Sequence, residues 1–368
     1  MKIALVVPGG VDRSGTDRVI PVLLWLIERL VRIGNEVHIF ALDQEPRPAR
    51  WQLLGATVHN AGRAPRRLRS LSNLLREHRR GRFDVVHAFW AGAPGQVAAA
   101  FAAMSRVPFV VTLPGGDLAS VPEIGYGAQL RWRSRIATRL VLSRASAIIA
   151  PSDWLGDQAR AQGWQPIVCP FGVALDRWPP APPRKRKTGQ PLRLVHVASL
   201  NRVKDPFGLL DAIRVLSDQG VDFSLDIVGA DTLGGAVQRH CHALGLDARV
   251  RFHSFTPNLE LRKQFDAADL LVMSSLHEGA PIAMLEAAVA GVPTVGTAVG
   301  NIADWAPEAA IAVPVRDPAG LADAIARLAS DEPERLRLAN AAHARALAHD
   351  ADAYAAQIQS LYTDLAAP

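Results

Sequence analysis

Two glutamates, Glu278 and Glu286, lie in the segment HEGAPIAMLEAAVAGVPTV, which is otherwise almost free of charge. Proline is common in the first turn of a helix, and glycine followed by proline is common at its end, so Pro281 and Gly291 predict a helix over about residues 281–290. Every other side chain of that helix is apolar, which is typical of a buried helix. A buried carboxylate needs a partner, and Glu286 therefore predicts an ion pair, a helix-end position or a bound ligand.

The turn Glu278-Gly279-Ala280 immediately precedes this predicted helix. Small residues there leave backbone N–H groups accessible at the helix N-terminus, where the aligned peptide dipoles favour an anion. The ligand interpretation thus places a phosphate at the turn and a polar group at Glu286, side by side.

Composition restricts the class of protein. The chain has 368 residues, of which 21% are charged and 49% are hydrophobic, as in globular proteins with room for two domains. The longest apolar run, near Val19 to Ile27, is shorter than the ~18 residues that a membrane span requires. The start, MKIALVVPGG, is interpreted as a first β-strand rather than a signal peptide. Two cysteines, Cys169 and Cys241, form neither a disulfide framework nor a metal cluster, which favours a cytoplasmic protein.

Positive charge is concentrated in the first half of the chain. Residues 1–176 hold 22 Lys and Arg against 13 Asp and Glu, and the remainder holds 19 against 22. The segment from Arg63 to Arg82 contains eight arginines, with Leu68, Leu71 and Leu75 at helical spacing. Such a helix either lies on the anionic inner face of a membrane or turns its leucines to the core and its arginines to water, and both interpretations stay open.

Short β-rich runs alternate with helical segments throughout, a pattern typical of parallel sheets. The pattern predicts an α/β protein with two doubly wound, Rossmann-like domains that face a central cleft, and ligands bind at the carboxyl ends of such strands. We predict a first domain over 1–176, a proline-rich linker over 177–191, a second domain over 192–350, and a last helix, 351–368, that crosses back to the first domain.

The glycine-rich segment PGGVDRSG is a candidate for a dinucleotide-binding loop. Its glycines at 9, 10 and 15 do not match the G-x-G-x-x-G spacing that a dinucleotide fold uses. Close approach to a phosphate or substrate and a simple tight turn both stay open for this loop.

Several short motifs, taken in chain order, resemble those of the retaining family-4 glycosyltransferases of the GT-B fold, the glycosyl transferases group 1. The most specific is the E-x7-E pattern from Glu278 to Glu286. The resemblance runs nearly end to end, through SGTDR from Ser14, DVVHAFW from Asp84, GGD at 115–117, PSDW from Pro151, PFGV at 170–173, VASLNRVKD from Val197, DIVGAD from Asp226 and VRFHSF from Val250.

The resemblance implies that the second domain binds a nucleotide sugar. Glu286 would hold the ribose hydroxyls, and Glu278 with Gly279 would contact the transferred sugar. A UDP-sugar is favoured over a GDP-sugar, with no other cofactor and no metal ion; the DAD sequence at 350–352 is interpreted as surface charge. The residues implied for the diphosphate are Gly15, Ser199, Arg202, Lys204, Gly279, Ala280 and Ile282.

Two positions depart from the family pattern, one on the acceptor side and one at the diphosphate. Pro114 stands where the family often has a histidine, and Ser199 stands where it usually has an arginine, for which Arg202 is the nearest replacement. Asp117 is the candidate to assist the acceptor hydroxyl, which makes Asp117, Glu278 and Lys204 the predicted catalytic residues. The residues expected to line the acceptor side are His87, Trp90, Gly115 and Gly116.

The implied reaction moves a sugar to a hydroxyl of a glycan, a lipid-linked or a small-molecule acceptor, with retained configuration, in cell-surface polysaccharide or glycolipid synthesis. The departing phosphate would accept the hydroxyl proton. A catalytically weak or inactive sugar-nucleotide-binding relative is the alternative. Nucleic-acid binding through the arginines is disfavoured, because the second half is acidic and no aromatic residues interleave with basic ones.

Overall fold

The computed structural model describes residues 1–187, 189–256 and 258–367. Thr188 of the predicted linker, Pro257 of the predicted second domain and Pro368 of the predicted last helix lie outside the described residues. The chain divides into two compact units, one formed by residues 1–172 with the C-terminal residues from His349, and the other by Val173–Ala348.

The first unit is built on an eight-stranded sheet in the order β3-β4-β2-β1-β5-β6-β7-β8. All neighbouring strands are parallel except β3, which is antiparallel to β4. The strands are β1 Lys2–Val7, β2 Glu36–Ala41, β3 Ala49–Leu53, β4 Ala56–Asn60, β5 Val85–Phe89, β6 Phe109–Thr112, β7 Ala147–Ala150 and β8 Ile167–Val168.

Helices connect these strands, as expected for parallel pairing. They are α1 Pro21–Arg32, α2 Arg66–Arg80, α3 Ala93–Ser105, α4 Trp132–Leu142 and α5 Asp153–Ala161, with 3-10 turns at Pro122–Ile124 and Ala128–Leu130. Helix α2 contains the predicted arginine-rich segment. Its Leu74 is fully buried, and Leu71 and Leu75 pack on the same apolar core, whereas Leu68 at the start of the helix is 70% exposed.

The hairpin formed by β3 and β4 was absent from the sequence prediction. Its turn places both Leu54 and Gly55 at positive φ, 52° and 82°, the backbone geometry that suits a tight hairpin. Leucine rarely adopts this conformation, so the segment lacks the usual Asn-Gly signal of a hairpin and was not recognised.

The second unit is built on a six-stranded parallel sheet in the order β11-β10-β9-β12-β13-β14. The strands are β9 Leu192–Val197, β10 Phe223–Val228, β11 Val250–His253, β12 Leu270–Met273, β13 Thr294–Thr297 and β14 Ala310–Val313. Helices α6 Pro206–Asp218, α7 Ala236–Ala243, α8 Asn258–Ala267, α9 Ile282–Val289, α10 Asn301–Trp305, α11 Pro318–Ser330 and α12 Glu332–Ala348 follow the strands or close the unit, and a 3-10 turn spans Arg202–Lys204.

Helix α9 is the helix predicted from the apolar segment, with a small correction at its start. Pro281 is the N-cap residue, with ψ of 115°, rather than the first helical residue. The helix ends before Gly291, whose φ is +74°. All residues from Met284 to Val289 are buried, as the apolar composition predicted.

The proline-rich segment interpreted as a linker packs within the second unit over its described residues. Trp178 is fully buried and its indole Nε1 donates to the Glu286 carbonyl at 3.0 Å. Arg184 pairs with Asp269 at 3.2 Å, and the Arg186 amide donates to Glu332 at 2.9 Å. We call residues 177–187, which pack along the second unit, the strap.

The last helix, α13 Ala351–Ala366, belongs to the first unit. Its Asp352 pairs with Arg29 of α1 at 3.1 Å, and the Asn35 amide donates to Gln359 at 2.8 Å. In the part of the chain that the structure describes, no helix has both the length and the apolar character needed to cross a bilayer.

Candidate active site

The strand order of the second sheet reverses between β9 and β12, so the loops that follow these two strands lie side by side. Residues 198–205 follow β9 and residues 274–281 follow β12. The Leu276 amide donates to the Val203 carbonyl at 2.8 Å, and the Ser274 hydroxyl donates to the Lys204 carbonyl at 2.8 Å. These bonds join the two loops into one structure at the carboxyl edge of the sheet.

Lys204 and Glu278 meet at this junction. The ammonium of Lys204 donates to Glu278 Oε1 at 2.5 Å, and the Ser275 hydroxyl donates to the same oxygen at 2.7 Å. The Glu278 side chain is 9% exposed and that of Lys204 is 23% exposed, so the cation keeps one side open to solvent. The sequence prediction named both charged residues, and the structure brings them into contact.

Lys204 is held by a short, capped turn. The Asn201 side chain accepts hydrogen bonds from the amides of Val203 and Lys204, at 3.1 and 3.2 Å, which fixes the 3-10 turn that carries the lysine. Ser199 and Arg202, the other residues predicted here for the diphosphate, are exposed. Among the described residues, no carboxylate forms an ion pair with Arg202, so this cation is available to a ligand.

The turn before α9 approaches its neighbour closely. A Cβ atom at Gly300, whose φ is +55°, would lie 2.5 Å from the Gly279 carbonyl oxygen, so only glycine allows this contact. Within the described chain, the backbone N–H groups of Gly279 and Ala280 have no acceptor, as an anion site at a helix N-terminus requires. Ile282 is the first residue of α9 and is only partly buried.

Glu286 lies on the second turn of α9 and is 3% exposed. Its carbonyl accepts the bond from Trp178, which ties the strap at 177–187 to this helix. The predicted burial of this carboxylate is confirmed, and its binding of a ligand stays a prediction.

Two residues of this region were missed by sequence reasoning. Ser275 contacts Glu278 directly, and the signal was a polar residue at the end of a buried strand. His196 is buried in β9, and its Nδ1 donates to the Val272 carbonyl at 2.9 Å, while its Nε2 has no partner among the described residues. Burial lowers the pKa of His196 to about 4, so the ring is neutral. A histidine inside the apolar run LRLVHVASL was the available signal.

The first sheet reverses its strand order between β1 and β5, and Asp117 lies beside the loop that follows β5. Asp117 Oδ1 accepts the Ala91 amide at 2.9 Å, and buried Oδ2 has no partner among the described residues. Burial raises the pKa of Asp117 to about 7 against the opposing effect of the Ala91 and Gly92 amides. Through this hydrogen bond, the carboxylate supports the turn before α3.

His87, predicted to line the acceptor side, is a structural residue. It is fully buried in β5, its Nδ1 lies 2.5 Å from the Tyr362 hydroxyl, and its Nε2 lies 2.7 Å from the Thr112 hydroxyl. Burial lowers its pKa to about 3. Both ring nitrogens are therefore used inside the first unit, and the sequence could not reveal this because Tyr362 is 275 residues away.

The other residues predicted for the acceptor side are accessible. Trp90, Gly115 and Gly116 are partly exposed, and Trp90 has a φ of +72°, a strained conformation at the end of β5. A Cβ atom at Gly116 would lie 2.8 Å from the Tyr126 hydroxyl, so a larger residue there would displace the Tyr126 ring.

Gly15, predicted to approach the diphosphate, belongs to the first unit, whereas the other residues named for that group belong to the second. Its amide donates to the Asp12 carbonyl at 3.0 Å, and Asp12 also accepts from Ser14 and Arg18. The Gly15 N–H is thus used within its own turn, and only the close approach of its backbone remains for a ligand.

The carboxylates of the DAD sequence have structural partners. Asp350 accepts the Ala353 amide at 2.8 Å as the N-cap of α13, and Asp352 pairs with Arg29. Among the described residues, one cluster has metal-ligating atoms within 4.8 Å of one another, namely His38, His59 and Glu77 of the first unit. His38 Nδ1 lies 3.0 Å from His59 Nε2, a hydrogen-bonding distance. None of these residues was predicted to bind the donor.

Two parallel-sheet units, each with polar residues at its strand-order reversal, define the GT-B class of fold. Sucrose-phosphate synthase from Thermosynechococcus elongatus has the same fold, with a TM-score of 0.84, 18% identity and 99% of both chains covered. Anabaena HepE, solved in complex with UDP-glucose, matches with a TM-score of 0.75 and 18% identity over 99% of this chain and 100% of that one.

The sequence defines the family more narrowly. Residues 181–345 match the family described as glycosyl transferases group 1, and residues 19–172 match the glycosyl transferase 4-like domain. The chain therefore belongs to the group 1 glycosyltransferases. A curated relative is the putative teichuronic acid biosynthesis glycosyltransferase TuaC of Bacillus subtilis, 30% identical over 227 residues, which is 60% of this chain and 54% of that relative.

Proposed function

We propose that this chain transfers a sugar from a nucleotide-diphosphate sugar, a UDP-sugar in preference to a GDP-sugar, to an acceptor hydroxyl with retention of anomeric configuration. The observation that carries the proposal is the junction of the β9 and β12 loops. There Lys204, Glu278 and two backbone N–H groups without acceptors surround the start of α9, and buried Glu286 lies one turn further along. The fold neighbour HepE was solved with UDP-glucose, which supports this choice of donor.

In this proposal, each group meets one part of the donor. Glu286, which is 3% exposed and lies one turn into α9, accepts hydrogen bonds from the ribose diol. Lys204, Arg202 and the N–H groups of Gly279 and Ala280 bind the diphosphate, with Ser199 and Ile282 beside them. Glu278 contacts the sugar hydroxyls, and its bond to Lys204 orients both side chains.

The reaction breaks the bond between the anomeric carbon and the phosphate oxygen, and the acceptor oxygen forms the new bond on the same face. Negative charge grows on the leaving diphosphate, so cations and aligned N–H dipoles stabilise the transition state more than the ground state. The acceptor proton passes to the departing phosphate oxygen, with no metal ion and no side-chain nucleophile. Asp117, whose pKa is raised to about 7, is proposed to bind the acceptor hydroxyl and assist its deprotonation.

We further propose that the product belongs to cell-surface polysaccharide or glycolipid synthesis. The family match and the name of the curated relative TuaC support this assignment. A glycan, a lipid-linked or a small-molecule hydroxyl would fit as acceptor, and a lipid-linked acceptor would place the enzyme at the inner face of a membrane.

The test is calorimetric titration of UDP-glucose, UDP-N-acetylglucosamine and GDP-mannose into the purified protein in EDTA, followed by NMR of the product anomer. A nucleotide sugar that binds the folded protein should raise its melting temperature and be consumed without added metal. An inverted product would contradict the proposed mechanism, and activity that only divalent ions restore would contradict its independence of metals. Tight binding without any turnover would support the alternative of an inactive relative, in line with Pro114 and Ser199.

A further inference from the structure

Helix α4 exposes an apolar stripe on the surface of the first unit. Trp132, Ile136 and Leu140 are 60%, 50% and 57% exposed and recur every fourth residue, so they share one helix face. The opposite face, with Thr138, Val141 and Leu142, is buried. These three make up a third of the large hydrophobic side chains recorded as exposed in the structure, and no folding role accounts for them.

Arginines flank this stripe on both sides. At 100° per residue, Arg135 and Arg139 lie along one border of the stripe and Arg133 along the other, and Arg144 follows just after the end of the helix. All four are exposed, and the segment 131–144 contains no Asp or Glu. Within the described residues, none of these arginines forms an ion pair, so their charge is not neutralised by the protein.

A groove of about 450 Å³ runs beside the stripe. Its lining includes Arg135 and Arg139 together with Trp132 and Trp164, which puts two guanidinium groups and two aromatic rings around one concave surface. A guanidinium group can donate two parallel hydrogen bonds to two oxygens of one phosphate. The groove therefore has the chemistry to hold a single phosphate-bearing headgroup.

We propose that α4 docks the chain on an anionic lipid bilayer. A helix with cationic borders around an aromatic and aliphatic face lies in the headgroup region, where the apolar face enters the acyl boundary and the cations contact lipid phosphates. A second copy of the chain fits less well, because a twofold contact would oppose the same arginines to one another. The surface area of three side chains is also smaller than the ~800 Å² that each partner buries in a stable protein interface.

The arginine-rich helix α2 provides the internal comparison. Leu71, Leu74 and Leu75 pack on the core, and several of its arginines bind protein groups, for example Arg66 with Asp43 at 2.9 Å and Arg80 with Glu77 at 2.7 Å. Helix α2 therefore has charge but exposes a single leucine, Leu68, whereas α4 has both unpaired arginines and a stripe of three exposed apolar side chains. The docking proposal does not rest on the proposed sugar transfer.

The experiment is vesicle cosedimentation of the full chain without nucleotide, using phosphatidylglycerol mixed with phosphatidylcholine and phosphatidylcholine alone. At about fivefold in affinity for each cation near the surface, Arg135→Gln/Arg139→Gln should weaken binding to anionic vesicles about 30-fold. Trp132→Ser/Ile136→Ser/Leu140→Ser should weaken it about tenfold or more through lost burial of the stripe. Melting temperatures should be unchanged, since all five side chains are exposed.

The matched control is Arg67→Gln/Arg79→Gln, which removes the same charge from exposed positions of α2 and should change affinity less than about threefold. The proposal would be overturned if the control variant lost as much affinity for anionic vesicles as Arg135→Gln/Arg139→Gln. It would also be overturned if the wild-type protein bound neutral vesicles equally well, or did not bind anionic vesicles. A dimer that the apolar triple variant dissociates would instead identify a second copy as the partner. Oligonucleotide binding lost only in the arginine variant, with no vesicle binding, would identify nucleic acid.

Discussion

The two sheets reverse their strand order at corresponding places, β1/β5 in the first unit and β9/β12 in the second, but their charged residues are used differently. At β9/β12, Lys204 and Glu278 pair with each other, and Lys204 keeps an open side. At β1/β5, His87 is enclosed by Thr112 and Tyr362, and Asp117 supports the Ala91 amide with one oxygen. The same topology thus holds a partly exposed charged pair in one unit and a largely structural network in the other.

The difference between the two strand-order reversals shows where short sequence motifs predict the arrangement of site residues reliably. Glu278 and Lys204 lie on loops and Glu286 lies on α9, and each of these elements has a local signal in the sequence, although the contact between Lys204 and Glu278 joins positions 74 residues apart. On the β1/β5 side, His87 is enclosed by Thr112 and by Tyr362, which is 275 residues away, and no local signal indicates that contact. In this chain, a polar residue at the end of a strand is therefore weaker evidence for an acceptor site than the E-x7-E motif is for a donor site.

Asp117→Asn is the sharpest test of the β1/β5 side. If the carboxylate assists the acceptor hydroxyl, turnover should fall about 100- to 10,000-fold while donor affinity in calorimetry stays nearly constant. A purely structural role predicts instead a loss of roughly 0.5 to 2 kcal/mol in unfolding free energy, because the amide still fills the site, with little change in turnover of the folded protein.

The pH dependence of the same pair of proteins adds a second readout. The folded-state pKa of Asp117, about 7, lies above its ordinary value of 3.8, so the folded wild type holds a proton that the unfolded chain releases in this window. The wild-type unfolding free energy should decline relative to Asp117→Asn as the pH rises from about 4 to about 7. Parallel stability curves for the two proteins would contradict the raised pKa.

Lys204→Met tests the β9/β12 side. Loss of a cation that contacts developing charge should reduce turnover about 100- to 1000-fold, measured by release of the nucleoside diphosphate. The control is Lys263→Met, which removes an exposed cation of α8 in the same unit and should leave turnover unchanged. An equal loss in both variants would mean that the positive charge of the unit matters and the Lys204–Glu278 contact does not.

Glu286→Gln tests the ribose contact. The isosteric amide should weaken nucleotide binding by about 1 to 3 kcal/mol in calorimetry, the scale of an impaired charged hydrogen bond. Glu308→Gln, an exposed position in the same unit, should leave affinity unchanged. Unaltered affinity in Glu286→Gln would end the assignment of this residue to the ribose.

His87→Leu should have the smallest effect on activity. The change leaves the hydroxyls of Thr112 and Tyr362 without their ring partner, at a cost of about 1 to 3 kcal/mol in unfolding free energy, and turnover of the folded enzyme should not change. Adding Tyr362→Phe should recover part of the stability, because it removes one of the stranded groups. A fall in turnover without loss of stability would return His87 to the acceptor site.

The sequence alone determined much of this protein. Alternating β-rich and helical runs predicted the parallel sheets, because strands buried on both faces need apolar sequence and crossover helices. The apolar segment with one carboxylate predicted α9 within one residue at each end, since proline and glycine limit a helix by backbone chemistry alone. The charged residues of the β9 and β12 loops could be named for the same reason: their signals lie within a few residues.

Only the tertiary structure decided the rest, and the reason is sequence separation. It showed that Trp178 of the proline-rich strap binds a carbonyl of α9, 108 residues away, and that α13 encloses His87. It also assigned the apolar faces of two arginine-rich helices, packing Leu71, Leu74 and Leu75 of α2 on the core and exposing Trp132, Ile136 and Leu140 of α4. Periodicity shows that a helix has an apolar face, but the neighbours that cover that face, or leave it open, are fixed only when distant segments pack together.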